Sequence, residues 1–187
     1  MKLKQRVNSV LFLDRDGVIN KRIPDDYVKA PEEFIFLDGV LDALKILSAV
    51  FSKIVLVTNQ QGIGREMMTD GQLNEVHQYM IDEIIDAEGR IDHIFYCPHL
   101  ATDGCKCRKP EIGMFEAAKM LIPKLDVSTS VMVGDSLSDL QFGRNAGLKT
   151  IFISDETRSD IQALNLADEQ FGSLFEFAKQ ISRHNVS

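Results

Sequence analysis

Short runs of consecutive apolar residues alternate along this chain with longer stretches in which apolar positions recur every third or fourth residue. The first pattern is that of strands buried on both faces, and the second that of helices with one apolar side. Strands are therefore predicted at Val10–Leu13, Lys53–Val57, Ile91–Tyr96, Ser130–Val133 and Thr150–Ile153. Helices are predicted at Val40–Val50, Gly113–Leu121, Ser138–Asn145 and Ser173–Ile181, and around Leu73, Val76, Met80 and Ile84. Two of these helices open on a capping box, Thr69-Asp70-Gly71-Gln72 and Ser173-Leu174-Phe175-Glu176. In such a box a hydroxyl and a longer polar side chain satisfy free backbone N–H groups. Strands alternating with helices in this way build βαβ units, so the fold class is α/β, a doubly wound parallel sheet of five strands covered on both faces. The stretch Lys21 to Leu37, with Pro24 and Pro31, shows no period and reads as a long loop after the first strand. In a parallel sheet such a loop lies at the ligand-binding edge.

At 187 residues with 44% apolar side chains, the chain is expected to form one domain over residues 1–187. Its formal charge of −7 offers no basic field for a phosphodiester backbone, so nucleic acid is not an expected partner. No apolar stretch approaches the ~18–20 residues of a membrane span. The basic segment Met1 to Arg6 precedes too short an apolar run for a signal peptide. A cytoplasmic protein is expected. No heptad or charge block marks a partner surface, which leaves a monomer as the default.

The first strand ends in Asp14-Arg15-Asp16-Gly17-Val18-Ile19-Asn20. Two carboxylates this close raise each other's pKa unless a cation lies between them, which favours a hard divalent ion such as Mg²⁺. Gly17 lets the backbone turn away at once. Asp-x-Asp-Gly is also an ordinary turn, and taken alone the two readings are evenly matched. Other strand ends add to the first. The second strand runs into Thr58-Asn59-Gln60-Gln61-Gly62, the fourth into Gly134-Asp135-Ser136-Leu137-Ser138-Asp139, and Arg108-Lys109-Pro110 precedes the helix at Gly113.

In this order the segments resemble the haloacid dehalogenase (HAD) superfamily of phosphotransferases over nearly the whole chain. Its four motifs are matched by Asp14-x-Asp16, Thr58, Lys109 and Gly134-Asp135-x-x-x-Asp139. The resemblance implies a Rossmann-like sheet and a phosphatase in which Asp14 is the nucleophile and Asp16 the proton donor and acceptor. Mg²⁺ would be held by Asp14, the Asp16 carbonyl and Asp135. Thr58 and Lys109 would grip the phosphoryl oxygens, and Asp139 would support them from behind. Members of the superfamily with a cap domain carry it after the first motif or between the second and third; here both intervals are too short, so no cap domain is expected.

Cys97-Pro98-His99 and Cys105-Lys106-Cys107 supply three thiols and one imidazole within eleven positions. That is a full tetrahedral set for Zn²⁺, with no position left for a catalytic water, so a structural zinc loop is expected at 97–107. Its exit is Arg108-Lys109. The remaining histidines, His77, His93 and His184, read as structural or solvated. A zinc loop ahead of Arg-Lys-Pro is similar to the HAD branch of D-glycero-D-manno-heptose 1,7-bisphosphate 7-phosphatases and histidinol-phosphate phosphatases. Asp14 to Asn20, Thr58 to Ile63 and Cys97-Pro98-His99 match the heptose pattern more closely. The resemblance implies that Arg108 and Lys109 recognise substrate and phosphate. It also implies that Arg22, Ile23, Pro24, Asp25, Asn59, Gln60 and Gln61 line a small phosphorylated metabolite.

Two departures favour histidinol phosphate as the alternative. The loop from His99 to Cys105 is short, and Ser136 stands where these families usually carry a cation. Two readings from another class are a phospho-receiver, whose acceptor would lie mid-chain and which would lack the zinc hooks, and a catalytically silent phosphate-binding protein.

Overall fold

The structure is a computed structural model, and it describes residues 6–154 and 161–184. Six parallel strands form one sheet: β1 (Arg6–Leu13), β2 (Phe51–Asn59), β3 (His93–Cys97), β4 (Val131–Gly134), β5 (Lys149–Ile153) and β6 (Glu169–Phe171). Their order across the sheet is β3-β2-β1-β4-β5-β6. The helices are α1 (Val40–Val50), α2 (Asp70–Asp86), α3 (Gly113–Leu121), α4 (Leu137–Asn145), α5 (Ile161–Leu166) and α6 (Leu174–His184). The sheet thus has six strands where five were expected. Glu169–Phe171 is three residues long and none of it is fully buried, so it carries no apolar run to read. The basic opening segment expected at Met1 to Arg6 lies outside the described residues up to Arg6, and nothing is described of the side chain of His184.

Alternate side chains of the central strands feed two cores. Leu11 and Leu13 of β1, Ile54 and Leu56 of β2, and Val131 and Val133 of β4 pack with α1, α2 and α6 through Leu44, Leu47, Val76, Met80, Phe177 and Ile181. Val10, Phe12, Val55, Val57 and Met132 turn the other way, onto Met114, Phe115 and Ala118 of α3, Phe142 of α4 and Ala146, which caps its C-terminus. Burial on both faces is why these strands read as unbroken apolar runs. The Thr69 capping box forms as expected. At α6, Ser173 accepts from the Glu176 N–H at 3.2 Å, while Glu176 reaches back one residue further, to the Gly172 N–H.

The chain winds outward from β1 through β2 to β3, then crosses back to β4 on the other side of β1. Between β1 and β4 the winding reverses, and at such a switch point the loops leaving neighbouring strands diverge and open a crevice. Between Asp16 and β2 lie only the loop, one 3₁₀ turn at Pro31–Glu33 and α1; between β2 and β3 lies α2. Neither interval holds a cap. No helix among the described residues is long and apolar enough to cross a membrane.

Candidate active site

The crevice holds a cleft of about 280 Å³ whose wall includes Asp14, Asp16, Arg22, Thr58, Asn59, Arg108, Lys109, Ser136 and Asp139. Asp14 leaves the end of β1, its N–H still bonded to the Val133 carbonyl of β4 at 3.0 Å. Lys109 reaches in from the opposite wall, with Nζ 2.6 Å from Asp14 Oδ1 and 2.6 Å from Asp139 Oδ1. The Val57 carbonyl accepts a third bond from the same ammonium at 2.8 Å. All three charged side chains are buried. Burial, with Asp139 nearby, pushes the Asp14 carboxyl up to about 7 against the pull of Lys109. For Lys109, burial would lower the pKa, but Asp139 and Asp14 more than offset it and hold the ammonium charged.

Ligand atoms of Asp14, Asp135 and Asp139 lie within 4.8 Å of one another. The Arg22 guanidinium shows where a cation is drawn. Its Nε donates to the Asp16 carbonyl at 2.8 Å, and its Nη2 lies 2.5 Å from Asp135 and 3.9 Å from Asp14. Two carboxylates and a backbone carbonyl therefore converge on one positive group, the hard oxygen set that suits Mg²⁺. Gly17 makes the convergence possible. It sits at φ +94°, and a Cβ there would fall 1.9 Å from Asp135 Oδ2.

Asp16 is held differently. Its Oδ1 accepts from Arg15 Nη2 at 3.0 Å and Asn20 Nδ2 at 2.9 Å, and its Oδ2 from Arg15 Nη2 and Gln60 Nε2, each at 2.9 Å. Burial works against the charged form, yet Arg15 and the bonds from Asn20 and Gln60 keep this carboxyl below the usual range. Two neighbouring acids are thus driven apart, one upward and one downward.

Cys97, Cys105 and Cys107 bring their sulfurs within 3.1 to 3.6 Å of one another. His99 Nδ1 lies 3.2 Å from the Cys107 sulfur and 3.6 Å from that of Cys97. Four ligands at tetrahedral corners around zinc stand roughly 3.5–3.8 Å apart, given bonds of about 2.0–2.3 Å. The Cys97–Cys107 and His99–Cys107 pairs are closer than that and the other three separations reach it, so the four groups could hold such an ion. The loop is tied to the end of β2 by the Gln60 N–H on the Cys97 carbonyl, 2.8 Å. Asn59 fastens its exit, accepting from the Lys109 N–H at 3.0 Å and donating to the Lys109 carbonyl at 3.2 Å.

The other expected residues divide. Ile23 lies on the cleft wall with Arg22, while Pro24 and Asp25 are exposed away from it and Asp26, Tyr27 and Val28 stand there instead. Gln60 is buried and turned onto Asp16 and Thr58, and Gln61 is not part of the wall. Ser136 caps α4, donating its N–H to Asp139 Oδ2 at 3.0 Å. Arg108 Nη1 is buried without a hydrogen-bond partner among the described residues. Arg15 and Asn20, both wholly buried, and His77 were not expected at the site. Arg15 gave one signal that could have been used: a permanent charge between two acids at the end of a strand buried on both faces. His77 is held down to about 3, by burial first and then by Arg15.

Residues 106–170 match the HAD-hydrolase-like family. The D-glycero-alpha-D-manno-heptose-1,7-bisphosphate 7-phosphatase of Campylobacter jejuni is 39% identical over 150 residues, 80% of this chain and 84% of that protein. The D-glycero-beta-D-manno-heptose-1,7-bisphosphate 7-phosphatase of Escherichia coli is 35% identical over 181 residues, covering 92% and 94%. The crystal structure of the D,D-heptose 1,7-bisphosphate phosphatase from B. bronchiseptica, complexed with magnesium and phosphate, superposes with a TM-score of 0.83 at 33% identity, covering 94% of this chain and 99% of that one. With relatives of this closeness over most of its length, and with the acids and the cation of the motifs gathered at one switch point, the chain belongs to the heptose-1,7-bisphosphate 7-phosphatase family of HAD-like phosphatases.

Proposed function

We propose that this enzyme removes the 7-phosphate of D-glycero-D-manno-heptose 1,7-bisphosphate, with Asp14 as the nucleophile. The observation that carries the reading is the buried Asp14–Lys109–Asp139 chain in the cleft, with Thr58 in the same wall and an Asp135 oxygen within 4.8 Å of both acids. Lys109 holds the attacking carboxylate in place and presents a positive charge to the incoming phosphate. An oxygen of Asp14 forms a bond to phosphorus while the bond from phosphorus to the sugar oxygen breaks. Asp16, which Arg15 keeps ionised at rest, takes up a proton from solvent as substrate binds and gives it to that oxygen as it leaves as an alcohol. It then takes a proton from the water that attacks the aspartyl-phosphate, and phosphate and the Asp14 carboxylate are regenerated. The Thr58 hydroxyl and Lys109 hold the non-bridging oxygens. Mg²⁺, held by Asp14, the Asp16 carbonyl and Asp135, would neutralise phosphate charge so that one anion can approach another.

Arg108 supports a substrate with a second phosphate. Its buried, unpartnered Nη1 in the cleft wall is a donor waiting for an acceptor, and a buried unmade bond costs roughly 1–3 kcal/mol. Zinc at Cys97, His99, Cys105 and Cys107 would staple the loop that delivers Arg108 and Lys109. The test measures kcat/KM on purified protein for both anomers of the heptose bisphosphate and for histidinol phosphate, with magnesium supplied and withheld. A preference of at least 100-fold for the bisphosphate is expected, since losing contacts to a phosphate forfeits roughly 3 kcal/mol. A preference for histidinol phosphate would move the chain to the other branch.

A further inference from the structure

Resting on the reading in which Asp16 transfers the proton, we propose that His77 is a positioning residue for that step, acting through Arg15. Arg15 is wholly buried. Its side chain has two hydrogen-bond partners among the described residues: Nη2 forks onto both oxygens of Asp16, at 3.0 and 2.9 Å, and Nη1 lies 3.2 Å from His77 Nε2. Arg15 Nε has none. A guanidinium has no acceptor, so His77 Nε2 accepts. Among the described residues the imidazole is therefore the one hydrogen-bond partner besides Asp16 that orients the guanidinium.

The ring is itself braced. Tyr96 of β3 packs edge-on against it, with centroids 6.2 Å apart, and the Tyr96 hydroxyl donates to Asp70 in the first turn of α2 at 2.7 Å. Tyr96 stands opposite Thr58 in the β2–β3 register. A line of contacts thus runs from the sheet through Tyr96, His77 and Arg15 to the Asp16 carboxylate. Tyr96, His77 and Arg15 are not part of the cleft wall; of this line only Asp16 is. Removing the acceptor at position 77 lets the guanidinium tilt, and Asp16, which Asn20 and Gln60 each hold by a single oxygen, loses the one donor that grips both of its oxygens.

The chemistry supplies a readout that a merely structural histidine would not move. In kcat/KM only the steps up to departure of the alcohol count. An alkyl alcohol leaves only with a proton from Asp16, whereas p-nitrophenolate leaves without one. For His77→Phe we expect kcat/KM to fall about 10- to 100-fold on the heptose bisphosphate, the range a displaced catalytic group produces. On p-nitrophenyl phosphate the loss should stay within about 3-fold, with the melting temperature recorded for each variant. His77→Gln, whose amide oxygen can accept from Arg15, should recover most of the lost rate. Equal losses on both substrates, or no recovery in the Gln variant, would overturn the assignment to His77 while leaving Asp16 in its role. If Asp16→Asn itself shows no dependence on the leaving group, the proton-transfer reading fails first and takes this one with it.

Discussion

Replacing Asp14 with Asn should abolish turnover and, in magnesium-free protein, make the fold more stable. The amide keeps the shape of the carboxyl but cannot attack phosphorus. The stability gain follows from burial. In the unfolded chain Asp14 ionises at its ordinary 3.8, while in the fold it keeps its proton to about 7. Between those values the native state binds a proton that the unfolded state has lost. The stability that Asp14 contributes is therefore full below pH 4, falls as pH rises through this window and is gone above 7. About three pKa units at 1.36 kcal/mol each set a ceiling of roughly 4 kcal/mol. The pull of Lys109 is already contained in that value, and relaxation of the buried site around the charge takes up part of the rest, so about half the ceiling, roughly 2 kcal/mol, is the expected net gain at pH 8. In a chain of this length that raises the melting temperature by roughly 4–8 °C. Urea unfolding of both proteins, dialysed free of magnesium with zinc left in place, measures the gap at pH 5 and pH 8. The gap should be small at the lower pH and open at the higher. A variant less stable than the parent at pH 8, or a gap that does not change with pH, would refute the account of the buried carboxyl; phosphatase activity in the variant would refute the nucleophile.

Lys109→Met removes the positive group between Asp14 and Asp139 and should cost about 3 kcal/mol of stability above pH 7, less below, along with all measurable activity; urea unfolding and a phosphate-release assay report the two losses. Gly17→Ala forces a methyl into the space of the Asp135 carboxylate at a backbone angle that suits glycine, so calorimetry should show magnesium affinity reduced at least 10-fold. Stripping zinc from the Cys97–Cys107 loop should lower the melting temperature by roughly 10 °C, about what 3 kcal/mol is worth in a chain of this size, and reduce kcat/KM; both should return when zinc is restored.

The sheet was legible because its central strands are buried twice over. Leu11 and Phe12 point to opposite cores, so the run Val10–Leu13 has no polar interruption. Glu169–Phe171 pairs along β5 through its backbone and gives no such run. That Asp14, Thr58 and Asp135 come together was readable from spacing, since all three stand where a strand ends. What spacing could not supply is direction. Gln60 follows Thr58 and Asn59 and reads as a substrate contact, yet its side chain turns inward onto Asp16. His77 sits at helical spacing from Leu73, Met80 and Ile84, on the face any reader would assign to the core. It is in the core; only its distance from Arg15, sixty-two positions away in the chain, shows what it touches there. Long-range polar pairs of this kind leave no local pattern.

The clamp by which Asn59 holds both backbone groups of Lys109 divides the molecule's labour. Asp14, Thr58, Asp135 and, through Asn59, Lys109 are moored to the ends of β1, β2 and β4, whereas residues 21–37 supply a separate stretch of the cleft wall, pinned to the core by Val28 and Phe34. On the proposed roles, a rim transplanted from a relative with another appetite, with Arg22 kept on Asp135, would change which molecule is admitted and leave the reaction itself untouched.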